Sequence, residues 1–269
     1  MNRELTDWQK SPELLRQKIR AEEWTDSTSG LCPGYAQANL VVLPREQAAD
    51  FSLFCRRNPK PCPVLEMSPP GDPLLKATAK EADLRTDLPR YRIFRKGELV
   101  RETTNIRSHW RDDLVGFLLG CSYTFDAVLA RAGFDLDHVK QNREPGIFTT
   151  NRPTAKAGVF QGPLVVSARA VPRNRIEEVI RITSRYEKTH GAPVHVGDPA
   201  VIGISDLNAS EYGGQGLRLK EDEEAVFWAC GVTPQAVALA SKIPFMITHK
   251  PGHMFVSDLT ISQVVGEEE

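Results

Sequence analysis

The chain has 269 residues, 41% hydrophobic and 26% charged, with 34 Lys and Arg against 35 Asp and Glu for a net charge of -1. That length holds one large domain or two smaller ones with real cores. The balanced charge excludes a non-specific nucleic-acid binder, which needs a basic excess. No apolar run approaches the roughly 20 residues of a membrane span, and Met1 to Lys10 lacks the apolar segment of a secretory signal. The five cysteines are an odd count with no framework spacing. They fit reduced thiols in a cytoplasmic protein and no zinc site.

Ser11-Pro12-Glu13 opens a helix, with Ser11 as cap, Pro12 in the first turn and Glu13 at the positive end of the dipole. Asn39 to Leu43 is an apolar run stopped by Pro44 and predicts a buried strand. Ala48, Phe51, Leu53 and Phe54 give Arg45 to Arg57 a helical spacing. The Asn58 to Pro63 stretch breaks it, and Val64 to Met67 reads as a second strand. Tyr91 to Phe94 and Glu98 to Val100 flank Lys96-Gly97, which predicts a hairpin. Trp110 to Ala132 has the longest helical pattern. It reads as two helices broken near Gly120 to Ser122, with Ser122 or Thr124 capping the second and Gly133 closing it. Thr149 to Thr154 reads as a polar loop, Leu164 to Ala168 as a strand and Pro172 to Lys188 as a helix. Pro193 to Val196, Val201 to Ile204, Val226 to Cys230, Phe245 to Thr248 and Met254 to Val256 are further short strands. Thr233 to Ser241 is a helix among them, and the tail Glu267 to Glu269 is frayed.

Strands alternating with helices predict an α/β protein. The expected architecture is a mixed-sheet α/β sandwich domain from residues 1–89 plus 196–269, with a second, smaller α+β domain from residues 90–195.

Four of the six histidines fall in two Gly- and Pro-bracketed stretches, His190 to Pro199 and Thr248 to His253. Histidines and carboxylates on turns at strand ends are where α/β proteins usually keep their chemistry. His195 alternates with Val194 and Val196, so it lines either a pocket wall or the core. Asp198 precedes Pro199 in a turn that needs no function. Asp206 and Asn208 either cap the next segment or share a loop face with His195 and Asp198. Pro251-Gly252 keeps His249 and His253 off one helix face, leaving turn histidines with acid–base capacity. Cys121-Ser122 sits at a turn without the Gly-x-Ser-x-Gly of a nucleophile elbow, which favours capping. Arg152, beside Asn151, is suited to clamp a carboxylate. Gly213-Gly214-Gln215-Gly216 has neither the helix nor the Lys-Ser/Thr of a phosphate loop.

Several of these stretches recur together in one known family. They are Pro33-Gly34-Tyr35, Arg56 to Pro63, Asp83 to Pro89, Gly120-Cys121-Ser122, Gly162 to Ser167, His190 to Pro199, Phe227 to Gln235 and Thr248 to Met254. In that order they resemble the D-glutamate cyclase family, whose bacterial members are named hydro-lyases, and the likeness covers nearly the whole chain. One departure stands out. The family pattern has an Arg before Thr150-Asn151, where this chain has Thr149, and an Arg instead appears at 152. The resemblance implies an α/β protein in two parts and conversion of D-glutamate to 5-oxo-D-proline and water. The chemistry needs a base, an acid and a cation or donor array for the α-carboxylate. His195, Asp198, His249, His253 and Asp206 are the expected catalytic set. Asn151, Arg152, Cys121, Ser122 and Asn208 are the expected substrate contacts. No metal and no cofactor are expected, because the His-Lys-Pro-Gly-His spacing matches no ligand motif. The expected partner is a small amino acid or carboxylate, with no nucleic acid and no membrane, and a homodimer is left open. Two other readings stand beside this one: a non-catalytic binding protein for a small carboxylate or amino acid, and a hydro-lyase for another small acid.

Overall fold

The computed structural model of the protein describes residues 5–265. Two antiparallel sheets organise it. The first uses β1 (Tyr35–Pro44), β2 (Val64–Met67), β3 (Tyr91–Arg95), β4 (Glu98–Thr103), β5 (Leu114–Gly120), β10 (Phe245–His249) and β11 (Phe255–Thr260). Its order is β2-β5-β1-β10-β3-β4, with β11 also pairing β1. The second has the order β6-β7-β9-β8, from β6 (Gly146–Pro153), β7 (Pro163–Pro172), β8 (His195–Val196) and β9 (Glu223–Ala229). The helices are α1 (Asp7–Lys10), α2 (Pro12–Arg20), α3 (Arg45–Arg57), α4 (Tyr123–Arg131), α5 (Asp137–Lys140), α6 (Ile176–Ser184) and α7 (Thr233–Ala240).

The α/β class is as expected, but the expected mixed sheet is not found: every strand pairing among the described residues is antiparallel. The sheets divide the chain differently from the expected boundaries at 90 and 195. β3, β4 and β5 join the first sheet, while β9 joins the second. Strand pairing follows hydrogen-bond partners across the fold, which sequence proximity does not reveal.

The central strands β1, β5 and β10 of the first sheet are buried on both faces and read as largely apolar runs, while the edge strands β2 and β4 are more exposed. Val41, Leu43, Phe117 and Met246 face Phe51 and Phe54 of α3, together with Phe160 and Val237. Phe51 meets Phe117 edge-on at 4.9 Å between centroids, which adds to simple burial. Leu40, Val42, Leu118, Ile93 and Ile247 face the opposite way, onto Leu75, Leu84, Leu88 and Ile106. In the second sheet Val226 and Trp228 pack on Phe125 and Leu129 of α4 and Val179 of α6. Phe148, Val166 and Phe227 pack on Ile202 and Ile204.

Several local expectations hold. Ser11 Oγ accepts from the Leu14 amide, and Lys96-Gly97 turns the β3–β4 hairpin with both residues at positive φ. Five expectations fail for physical reasons. Leu114 to Gly120 is a strand and not a helix, because each of its seven residues pairs with β1, from Ala38↔Gly120 to Pro44↔Leu114. A short apolar run does not distinguish the two states by itself. The second helix does follow Ser122, but neither expected cap bonds it: Ser122 Oγ accepts from Arg169 and Thr124 Oγ1 accepts from the Gln37 amide. The stretch at 149–153 lies in β6, where Thr149 pairs Val165, and Thr154 follows the strand. Val201 and Ile202 end a 3-10 turn, Pro199–Ile202, and the Pro172 to Lys188 helix shrinks to α6, because β7 extends to Pro172 and a 3-10 turn takes Arg173–Arg175. The Glu267 to Glu269 tail lies outside the described residues. Among the described residues no helix is long and apolar enough to cross a membrane.

Gly120 ends β5 against the turn at 187–189. A Cβ there would lie 1.8 Å from Lys188 O, while one at Gly34 would meet nothing within 4 Å. Gly120→Ala is therefore expected to destabilise by about 3 kcal/mol or more, and Gly34→Ala by no more than about 0.5 kcal/mol. Thermal melts of the two variants check this. Equal melting points would show that the turn does not press on β5.

Candidate functional site

A cleft of about 780 Å³ opens where the first sheet meets the approach to β6. Arg92 on β3, the adjoining Arg90, and Lys250, Pro251 and His253 after β10 line it from one side. Asn142, Glu144, Glu211, Tyr212 and Gly213 line it from the other, with Asp26 and Ser27 completing the rim. β3 and β10 pair His249↔Tyr91, and Lys250 N donates to Arg90 O, so three cations emerge side by side.

Local chemistry fixes each wall. Gly252 O accepts from Thr28 N, Ser27 Oγ and Thr28 Oγ1, and Met254 N donates to Thr28 Oγ1. These bonds lock the segment carrying Asp26 onto the 250–254 turn. Gly252 has φ +80, and a Cβ there would fall 2.0 Å from Glu144 Oε1. Only glycine lets the Glu144 carboxylate come so close. Thr149 gives its amide and Oγ1 to Glu211, and its Oγ1 lies 3.4 Å from the Tyr212 hydroxyl. Where the family resemblance expects an arginine, Thr149 therefore anchors two residues that line the cleft.

His253 is buried, with Nδ1 2.8 Å from Pro251 O and 3.9 Å from Glu144 Oε1. The carbonyl can only accept, so Nδ1 carries the proton and Nε2 keeps its lone pair. Burial, reinforced by Lys250 and Arg90, lowers its pKa to about 4. At neutral pH it is an uncharged base. Burial raises the Tyr212 pKa, so its phenol stays protonated and able to donate.

His249 lies behind this wall, 1% exposed. Its Nδ1 accepts from the Leu40 amide at 3.2 Å, its Nε2 has no hydrogen-bond partner among the described residues, and burial lowers its pKa to about 3. His190, at φ +89, lies 2.7 Å from Lys60 O through Nδ1, and burial lowers its pKa to about 4.

The structure does not gather the expected constellation into one cleft. His195 Nε2 lies 2.7 Å from the Asp198 backbone carbonyl, and its ring packs on Phe227. The Asp198 carboxylate caps the 3-10 turn through the Ala200 amide, so it orients no histidine. Asp206 accepts from the amide and side chain of Asn208 in a local turn. Asn208 lines a different cavity, of about 600 Å³, which meets the cleft at Glu144. Arg152 donates to Val194 O and, with Asn151, lines a shallow third pocket. His253 alone of the expected residues lines the cleft. Glu144, Glu211, Tyr212, Arg90, Arg92 and Asp26 were not legible as site residues. The only signal was Lys250, inside the Thr248 to His253 motif, and the period-two placement of Arg90 and Arg92 around Tyr91.

Cys121 and Ser122 meet a buried ion pair instead. Arg169 Nε and Nη2 hold Asp126 at 3.1 and 2.8 Å, and Arg169 also donates to Ser122 and Ser167. His138 Nε2 lies 2.9 Å from Asp126. Burial opposes ionisation of Asp126, but Arg169 and His138 overcome it and hold its pKa at about 2. Burial raises the Cys121 thiol to about 12, so it is no nucleophile at neutral pH. Among the described residues no three His, Cys, Asp or Glu side chains cluster to hold a metal ion.

A cleft with charges of both signs, a neutral imidazole and a protonated phenol has the means for acid–base work on a small polar molecule. The comparisons with known proteins agree in kind. The sequence profile of D-glutamate cyclase matches residues 115–258. A "putative hydro-lyase" of Geobacillus kaustophilus is 51% identical over 94% of this chain and 96% of its own length. Another, from Rubrobacter xylanophilus, is 53% identical over 90% of this chain and 93% of its own. The chain belongs to the D-glutamate cyclase family. A solved nitrogen repressor-like protein from Methanococcus jannaschii aligns over 93% of this chain and 94% of its own at 12% identity and a TM-score of 0.40, a likeness too loose to inform fold or function.

Two stability outcomes follow from the buried charges. His190, His249 and His253 have folded pKa values below the 6.5 of a free histidine. Between pH 6.5 and about 4 the unfolded chain binds protons that the folded one refuses, so stability falls as pH falls, by about 1.4 kcal/mol per pH unit per histidine. Asp126 adds the same sign lower down, between its free value of 3.8 and about 2. Melting points from pH 7.5 to 4 are expected to drop steadily below pH 6.5, and a flat profile to pH 4.5 would contradict the neutral histidines. Asp126→Ala, which strands the Arg169 charge, is expected to cost about 3–5 kcal/mol in denaturant unfolding. The double variant Asp126→Leu, Arg169→Met should cost clearly less than the two single changes summed.

Proposed function

We propose that this protein is a hydro-lyase that closes D-glutamate to 5-oxo-D-proline and water in the cleft of Arg92, Glu144 and His253. The observation that carries the reading is the neutral His253 base set among Arg90, Arg92 and Lys250 on one side and Glu144 and Glu211 on the other. The family and the names of its relatives support the reaction class. Arg90, Arg92 and Lys250 take the two carboxylates, and Asp26 and Glu144 take the ammonium. Holding both ends of one flexible molecule brings nitrogen to the γ-carbon and supplies much of the acceleration.

The proton balance is internal. The ammonium of the substrate sheds two protons, and the departing oxygen gains two to leave as water. The enzyme therefore needs a shuttle and no net acid. The first proton passes to the Glu144 carboxylate before attack, because only the free amine carries a lone pair; as the N–C bond then forms the nitrogen becomes far more acidic, so even a weakly basic imidazole takes the second. The Tyr212 hydroxyl gives one proton to the γ-carboxyl oxygen as charge gathers there and regains it from Glu144, and His253 Nε2 passes the second to the departing oxygen, so water leaves and every group is restored.

Purified protein incubated with D-glutamate is expected to yield 5-oxoproline by chromatography, with L-glutamate as the comparison. His253→Gln should lower kcat/KM by about a hundredfold, and Arg92→Met should chiefly raise KM. For the wild type kcat/KM should stay level from pH 7.5 to 5.5 and fall as His253 protonates near pH 4. No product at high enzyme concentration would remove the reaction. Calorimetric binding of D-glutamate without turnover would leave a binding protein for a small amino acid.

A further inference from the structure

Two of the three cations in the cleft are not independent. Arg92 Nε donates to Glu102 Oε1 at 2.8 Å, and Lys250 Nζ lies 3.2 Å from Glu102 Oε2. One carboxylate thus spans both. The fold builds this bridge from three separate strands. Glu102 on β4 pairs directly opposite Arg92 on β3, and Lys250 leaves the end of β10, which pairs β3 on its other side. Arg92 gains a second brace where Nη1 meets Gln235 Oε1 at 3.4 Å, and Gln235 Nε2 in turn donates to His249 O. Glu102 does not line the cleft, so it reaches a bound molecule only through the residues it holds.

We infer that Glu102 is a positioning residue that yokes Arg92 and Lys250 into one carboxylate receptor, and so sets substrate affinity without touching substrate. This rests on the reading of the cleft given above. Two unyoked cations side by side repel and sample many rotamers. Ordering each long side chain at the moment of binding costs about 0.5–1.5 kcal/mol. The bridging carboxylate meets that cost in the folded protein. It also holds Arg92 Nε, while Gln235 holds Nη1, so among the described residues only Nη2 is left without a bond. Glu102 itself is held ionised: burial opposes this, but the hydrogen bonds from Arg92 and Lys250 outweigh it and keep its pKa below the usual carboxylate range.

The test compares Glu102→Gln with Glu98→Gln, a change on the same strand that faces Arg95 in the pairing register, outside the cleft. Glu102→Gln is expected to raise the KM for D-glutamate about tenfold with kcat within about threefold, while Glu98→Gln changes neither. A tenfold change is about 1.4 kcal/mol. In a double-mutant cycle Glu102→Gln and Lys250→Ala should be clearly less than additive in KM, which a general loss of folding would not produce. Calorimetric Kd for D-glutamate runs in parallel. Wild-type turnover with an unchanged or lower KM in Glu102→Gln overturns the yoke alone. Wild-type binding without turnover, weakened about tenfold in Glu102→Gln, keeps the yoke and removes the reaction. A wild type that neither binds nor turns over D-glutamate overturns both.

Discussion

The pairing of Arg169 with Asp126 is the constraint on which the remaining structure depends. Arg169 comes from β7, in the middle of the second sheet, and Asp126 from α4, which follows β5 of the first sheet. Both are almost fully buried. A charge in that position is tolerated only when it is matched and hydrogen-bonded. The chain meets the requirement with a bidentate contact, two serine hydroxyls, His138, and the faces of Phe125 and Trp228 at 5.7 and 5.5 Å. The requirement runs both ways. Because neither charge can be left alone, β7 and α4 have essentially one mutual placement. Buried ion pairs are weak sources of net stability, so specificity of arrangement is the better account of this one.

Once the sheets are held, the cleft follows from backbone as much as from side chains. Gly252 makes room for Glu144, its carbonyl collects the 27–28 segment, and Thr149 fixes the 211–212 pair. Five stretches distant in sequence are brought to one opening without a regular element spanning it. The cations come from strand ends, whose positions are set by pairing. The acids come from loops, whose positions are set by these individual bonds.

Both signs of charge stand close together without cancelling. The Glu102 bridge leaves the cluster of Arg90, Arg92 and Lys250 with surplus positive charge, and the buried histidines stay neutral beside it. That is the electrostatic setting in which an imidazole stays an uncharged base at neutral pH.

The sequence by itself determined the family, the α/β class and most strands and helices with local punctuation. Pro44, Pro12, Gly133 and Lys96-Gly97 act through their own φ and hydrogen-bonding limits, so their meaning survives without a tertiary structure. The same locality explains the misreadings. Leu114 to Gly120 is apolar without a period, and only its pairing with β1 makes it a strand. His195, Asp198, Asp206 and Asn208 are close in sequence and looked like one site, yet local turn bonding consumes their polar groups. The residues that line the cleft are scattered from Asp26 to His253, and nothing in any one stretch marks Glu144 or Arg92 as facing Lys250. Turn chemistry is written residue by residue, whereas a cleft is a property of which strands become neighbours. Only the tertiary structure decided that, through long-range pairing and the burial of one matched pair of charges.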